Sequence, residues 1–228
     1  MSPVLCLVTD RRRAATTDAL VRRVAIAAGA GVHLVQVREP DLDTRALLDL
    51  VKRLVAAVRG SRTRVVVNDR LDVALAAGAH GAHLPGSSLP AARARALAPP
   101  GFLLGRSVHA TDEAAGACAG GGLDYLVFGT VFATGSKPEG RAAGAAALEE
   151  AVAVAAGVPV LGIGGVTVAR AGAIARTGSV GLAAIGLFAD PVETELPEAL
   201  AAVRAAWENE AHLGRRSSHA ASRLLPPR

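Results

Sequence analysis

Short apolar runs rich in Val, Ile and Leu recur along this chain, and each is followed by a longer stretch with Ala, Leu and Val at helical spacing among Arg, Asp and Glu. The runs lie at Val4 to Thr9, Val32 to Arg38, Arg64 to Asn68, Gly81 to Leu84, Leu103 to Val108, Tyr125 to Gly129, Val158 to Ile163 and Val180 to Ile185. The helical stretches lie at Thr17 to Ala28, Thr44 to Arg59, Leu71 to Ala77, Ala91 to Leu97, Thr111 to Ala119, Gly144 to Ala156, Thr167 to Thr177 and Glu195 to Trp207. The runs are continuously apolar rather than alternating, as strands buried on both faces of a parallel sheet must be. Eight such units in 228 residues predict a single-domain α/β fold, the (β/α)8 TIM barrel, ahead of an open doubly wound sheet. The first run ends Thr9-Asp10-Arg11 without the glycine fingerprint of a dinucleotide-binding sheet, which argues against the open alternative.

Composition narrows the partners. The net charge is +5, but residues 209–228 carry +3 of it, so the barrel segment 1–208 is nearly neutral and 209–228 is a basic tail whose Arg/Ser/Pro content predicts disorder. Aromatic residues make up 3% of the chain and do not alternate with basic clusters, so no nucleic-acid surface is expected. Cys6 and Cys118 form no CxxC pair, and the apolar run of MSPVLCLVTDRRR precedes its basic cluster instead of following it; both point to a cytoplasmic protein. Ala151 to Ala169 lacks charge and has the length of a membrane span, yet Gly157, Pro159, Gly162, Gly164 and Gly165 interrupt it, so it reads as a helix end, a strand and a loop.

In a barrel of this kind chemistry gathers where strands run into the following loops. Gln36 and Arg38 share a face of the second strand by their spacing of two, and an inward Arg is costly unless it meets an anion. Asn68 and Asp69 end the third strand and serve either as caps for the next helix or as ligand or metal contacts. His109, just past the fifth strand with Ser107, is the candidate acid/base group. His83 lies within a strand and reads as a structural histidine bonded to backbone. Thr134 and Lys137, one of two lysines in the chain, lie in a Gly/Ser/Pro loop and can reach an anionic substrate. Gly162-Ile163-Gly164-Gly165 opens a helix after the seventh strand, and Gly164, Gly165 and Gly186 predict a phosphate cradle built from the loops after strands seven and eight.

The ordered strings VQVRE, VVVND, GAHGAHLP, LGRSVH, DYLVFGTVFATGSK and GIGGV resemble the thiamine phosphate synthase superfamily, and most closely its TenI branch, the thiazole tautomerases, from Leu7 through Phe188. The resemblance implies the same barrel, a thiazole phosphate as small-molecule ligand, a homodimer, and no membrane partner. Synthases of this family join a hydroxymethylpyrimidine diphosphate to a thiazole phosphate with Mg²⁺ and release pyrophosphate. They carry a lysine where this chain has Pro40, and a metal-binding aspartate soon after the HLG string, where this chain reads Pro85-Gly86-Ser87-Ser88. Those departures predict a cofactor-free thiazole tautomerase, with His109 shuttling the proton, Gln36, Arg38, Asn68, Ser107, Thr134 and Lys137 lining the pocket, and no metal. A Mg²⁺-dependent synthase using Asp69, and a non-catalytic phosphate-binding or regulatory barrel, are the alternatives.

Overall fold

A computed structural model describes residues 2–134 and 142–211. Eight parallel strands close in sequence order: β1 (Val4–Val8), β2 (Leu34–Val37), β3 (Arg64–Asn68), β4 (Gly81–Leu84), β5 (Leu103–Val108), β6 (Tyr125–Gly129), β7 (Val160–Ile163) and β8 (Gly181–Ala184), with β8 pairing back onto β1. The crossovers hold α1 (Thr17–Gly29), α2 (Thr44–Ala57), α3 (Leu71–Ala76), α4 (Ala91–Leu97), α5 (Thr111–Ala119), α6 (Gly144–Val154) and α7 (Val168–Arg176), followed after β8 by the short α8 (Gly186–Ala189) and the long α9 (Leu196–Ala211). The expected barrel is therefore present, strand for strand.

Two apolar layers hold it. Leu47, Leu50, Val51 and Leu54 recur at three- and four-residue spacing and bury one face of α2 against the sheet, while Asp43 caps the helix by accepting from the Ala46 amide at 2.8 Å. The matching outward side chains of the strands complete this outer layer. Inside the barrel Val4, Cys6, Val8, Leu34, Val66, Leu103, Tyr125, Val127, Leu161 and Ala183 fill the lumen. Desolvation pushes the Cys6 thiol up to about 12, so it packs as a small apolar group.

Two elements were not foreseen. A 3-10 turn at Arg11–Arg13 follows β1, with the Asp10 carboxylate accepting from the Arg12 amide, and α8 opens at Gly186. The last helix also runs on to Ala211, beyond the expected tail boundary, where Glu210 pairs with Arg176 at 2.8 Å; residues 212–228 lie outside the described residues. Among the described residues no helix is long and apolar enough to cross a membrane, and the uncharged 151–169 stretch is the end of α6, β7 and a loop.

Acid sensitivity is built into the strand ends. The His33 and His80 Nδ1 atoms accept from the Leu5 and Val65 amides, and burial lowers both rings, His33 to about 4 with help from the Arg204 charge. Desolvation likewise lowers His83 to about 3. Groups with depressed histidine pKa take up protons on unfolding, so stability falls as pH drops from 6.5 toward 4. Buried Glu39, raised by desolvation, opposes this only in the carboxylate range. The unfolding temperature is expected to fall by roughly 5 °C or more between pH 7 and 4.5; a flat profile in a thermal melt series would contradict the neutral state of these rings.

Candidate active site

The C-terminal ends of all eight strands open on one mouth. On its β2–β3 side Gln36 is buried, and its Nε2 donates to the Asn68 Oδ1 at 3.0 Å, tying the two strands together at the floor. Arg38 stands one residue past the end of β2 and is exposed; its amide donates to the Thr9 hydroxyl at 3.0 Å. The expected burial cost of an inward Arg therefore does not arise. Nor is Glu39 its partner: that buried carboxylate accepts from the Arg11 amide at 3.0 and 3.2 Å. Among the described residues no carboxylate lies within ion-pair distance of the Arg38 guanidinium.

Asn68 and Asp69 do not cap α3, which begins behind Arg70 without a side-chain cap. Asp69 instead adopts a left-handed backbone, φ 62°, and its amide donates to the His83 carbonyl at 2.8 Å. A non-glycine residue held there is strained, and such strain concentrates at functional sites. Its carboxylate is exposed. The neighbouring Asp72 is occupied by a two-point pair with Arg70 at 2.9 and 2.7 Å, which holds its carboxyl below the usual range.

Across the mouth, Gly164 and Gly165 have φ 102° and 61°. A side chain at Gly164 would collide with Thr130, its first carbon lying 2.5 Å from the Thr130 Cγ2. The turn is pinned by the Arg170 Nη1 donating to the Gly165 carbonyl at 2.8 Å, with the guanidinium over the Phe132 ring. Thr167 makes no side-chain cap bond to α7, so the first amides of that helix keep their capacity for an anion. Gly186 opens α8 beside Arg13, which pairs with Asp190.

Between these walls lie the β5 and β6 ends. Ser107 is half-buried and bonded to His83; His109 is exposed, and its Nδ1 donates to the Gly129 carbonyl while its amide donates to Glu113 at 2.7 Å. Thr134 is half-buried at the edge of the described residues, and Lys137 lies outside them. His83 does not bond backbone through its ring, as expected for a structural histidine, but bridges Ser107 and Tyr125. Tyr125 and the arginines of the 3-10 turn were missed. Which side chains meet depends on the register between strands, and a single sequence does not carry that.

A family model described as thiamine monophosphate synthase matches residues 5–188. The chain belongs to that family. It is 40% identical over 183 residues to the thiamine-phosphate synthase of Roseiflexus castenholzii, covering 80% of this chain and 79% of that protein. The thiamine-phosphate synthase of Methanoculleus marisnigri is 40% identical over 79% of this chain and 85% of its own length, and a putative thiamine-phosphate synthase of Geobacter sulfurreducens is 39% identical over 87% and 93%. Among solved structures, thiamine phosphate pyrophosphorylase from Pyrococcus furiosus superposes with a TM-score of 0.77 at 30% identity, covering 90% of this chain and 96% of that one. A 3-hexulose-6-phosphate synthase, at 18% identity and TM-score 0.69, shares the fold.

These findings overturn the expected thiazole tautomerase. The matched relatives are named synthases, so the family points to a transferase and not an isomerase. Pro40 and Ser88 are two rim positions, outweighed by a match that spans the whole barrel. The proton-shuttling role expected of His109 loses its reaction with that correction.

Proposed function

We propose that this protein is a thiamine-phosphate synthase, coupling hydroxymethylpyrimidine diphosphate to a thiazole phosphate with release of pyrophosphate. The observation that carries this reading is the match to named synthases over about four-fifths of the chain. In a closed ring of eight strands β3 stands opposite β7, so the Arg38–Asp69 wall faces the glycine wall. Two anionic substrates held at opposite walls present their reactive ends to each other at the centre, and this orientation accounts for much of the rate.

The thiazole nitrogen attacks the methylene carbon of the pyrimidine, and the carbon–oxygen bond to the diphosphate breaks with its electron pair leaving on pyrophosphate. The attacking nitrogen bears no proton, so no general base is required, and His109 is free to serve as a wall of the mouth. The demand is for positive charge beside the leaving group, which Arg38 supplies, with Lys137, outside the described residues, as a second candidate. Gly164, Gly165 and the first amides of α7 bind the thiazole phosphate; Gln36 and Asn68 shape the floor.

Among the described residues no three His, Cys, Asp or Glu side chains gather as a metal site. Mg²⁺ is commonly held by one or two carboxylates plus substrate phosphates, and the exposed Asp69, free of ion pairs among the described residues, fits that minimum. When bound, the ion would neutralise diphosphate charge. The buried Cys6 and half-buried Cys118, both free thiols, support a cytoplasmic setting.

With both substrates present, pyrophosphate release is expected to require Mg²⁺ and to stop on chelation with EDTA. Asp69→Asn should raise the Mg²⁺ needed for half-maximal rate by at least roughly 10-fold to 100-fold. Pyrophosphate release that is unchanged in EDTA would contradict the metal assignment.

A further inference from the structure

His83, Gly105 and Tyr125 stand side by side in register on β4, β5 and β6. All three face the lumen. The middle position has no side chain: a Cβ on Gly105 would lie 2.1 Å from the Tyr125 Cζ, so the glycine is what lets the tyrosine ring lie across β5 and carry its hydroxyl to β4. There the hydroxyl meets the His83 Nδ1 at 3.2 Å, and the His83 Nε2 meets the Ser107 Oγ at 2.8 Å. Tyr125 and His83 are fully buried, whereas Ser107 reaches the mouth.

The direction of this chain follows from counting donors. A fully buried imidazole with two hydroxyl partners and no carboxylate is neutral and carries one N–H. Among the described residues the Tyr125 hydroxyl has one acceptor within hydrogen-bond distance, the His83 Nδ1. If Nδ1 carried the proton, the tyrosine would accept and its own buried proton would have nowhere to go, which incurs the full desolvation penalty of an unmade bond. Tyr125 therefore donates to Nδ1, the ring proton sits on Nε2, and Nε2–H donates to the Ser107 oxygen. The serine proton must then point away from the ring, into the mouth.

We infer that Tyr125 and His83 are positioning residues that hold Ser107 as a one-way hydrogen-bond donor to an acceptor atom of the bound substrate. This rests on the synthase reading for the identity of the substrate, but the polarity of the relay does not. β5 lies midway round the ring between the two anion walls, so a donor at its end flanks the space between the two bound substrates.

Two measurements test it. Nitrogen-15 NMR of the ligand-free wild-type protein reads the tautomer of each imidazole, with His83 assigned by its loss in His83→Gln; the Nε2–H form is expected, and the Nδ1–H form would overturn the relay. In kinetics, Tyr125→Phe keeps the ring and removes the donor. It should lower kcat on the order of 10-fold to 10²-fold with little change in KM, and it should change kcat by less than twofold when placed on Ser107→Ala, because its effect passes through that serine. Additive losses would overturn the positioning role. A wild-type protein that forms no coupled product would overturn the synthase reading, and the NMR result then decides the relay alone.

Discussion

Arg38→Ala is expected to lower turnover by roughly 10²-fold to 10³-fold at saturating Mg²⁺, because a fixed cation beside the departing pyrophosphate acts mainly on charge that develops in the transition state. Arg38 is exposed and pairs with no carboxylate among the described residues, so the variant should melt within a degree or two of the parent. That separates a chemical loss from a folding loss. Arg38→Lys should recover part of the rate, since it restores the charge without the two-pronged geometry. If kcat with the pyrimidine diphosphate is unchanged in Arg38→Ala, the leaving-group wall lies elsewhere.

Gly164→Ala should have the opposite signature, a large loss of stability together with weaker binding of the thiazole phosphate. At φ 102° an alanine is strained, and its Cβ would press within 3 Å of the Thr130 Cα as well as its side chain. Strain and overpacking each cost about 1–3 kcal/mol, so a destabilisation of about 2 kcal/mol or more is expected in denaturant unfolding. The KM for thiazole phosphate should rise more than that for the pyrimidine substrate. An alanine variant of full stability and unchanged KM would remove Gly164 from the phosphate cradle.

The barrel was legible because its determinants are local. Continuous apolar runs mark strands buried on both faces, and the spacing of Leu47, Leu50, Val51 and Leu54 marks a helix with one inward face. Strand ends were also within reach: Gln36, Arg38, Asn68, Asp69, Ser107 and the Gly164–Gly165 turn all fall at the mouth. What the chain alone did not show is which of these groups touch. The Glu39 carboxylate goes to the Arg11 amide instead of to its neighbour Arg38, because the 3-10 turn after β1 delivers that amide from a different strand. The His83–Tyr125 bond likewise spans three strands, and only register and the empty space at Gly105 make it possible. The tautomerase expectation fails for a different reason. Pro40 and Ser88 each remove one charged side chain, and neither substitution says how much cation the rest of the mouth retains.

The most direct test of the synthase reading is product analysis. Purified protein is incubated with hydroxymethylpyrimidine diphosphate, the thiazole phosphate and Mg²⁺, and thiamine phosphate and pyrophosphate are quantified by mass spectrometry. Equal amounts of the two products, absent when either substrate is omitted, are the predicted result. Intact substrates after prolonged incubation with fully folded protein would contradict it.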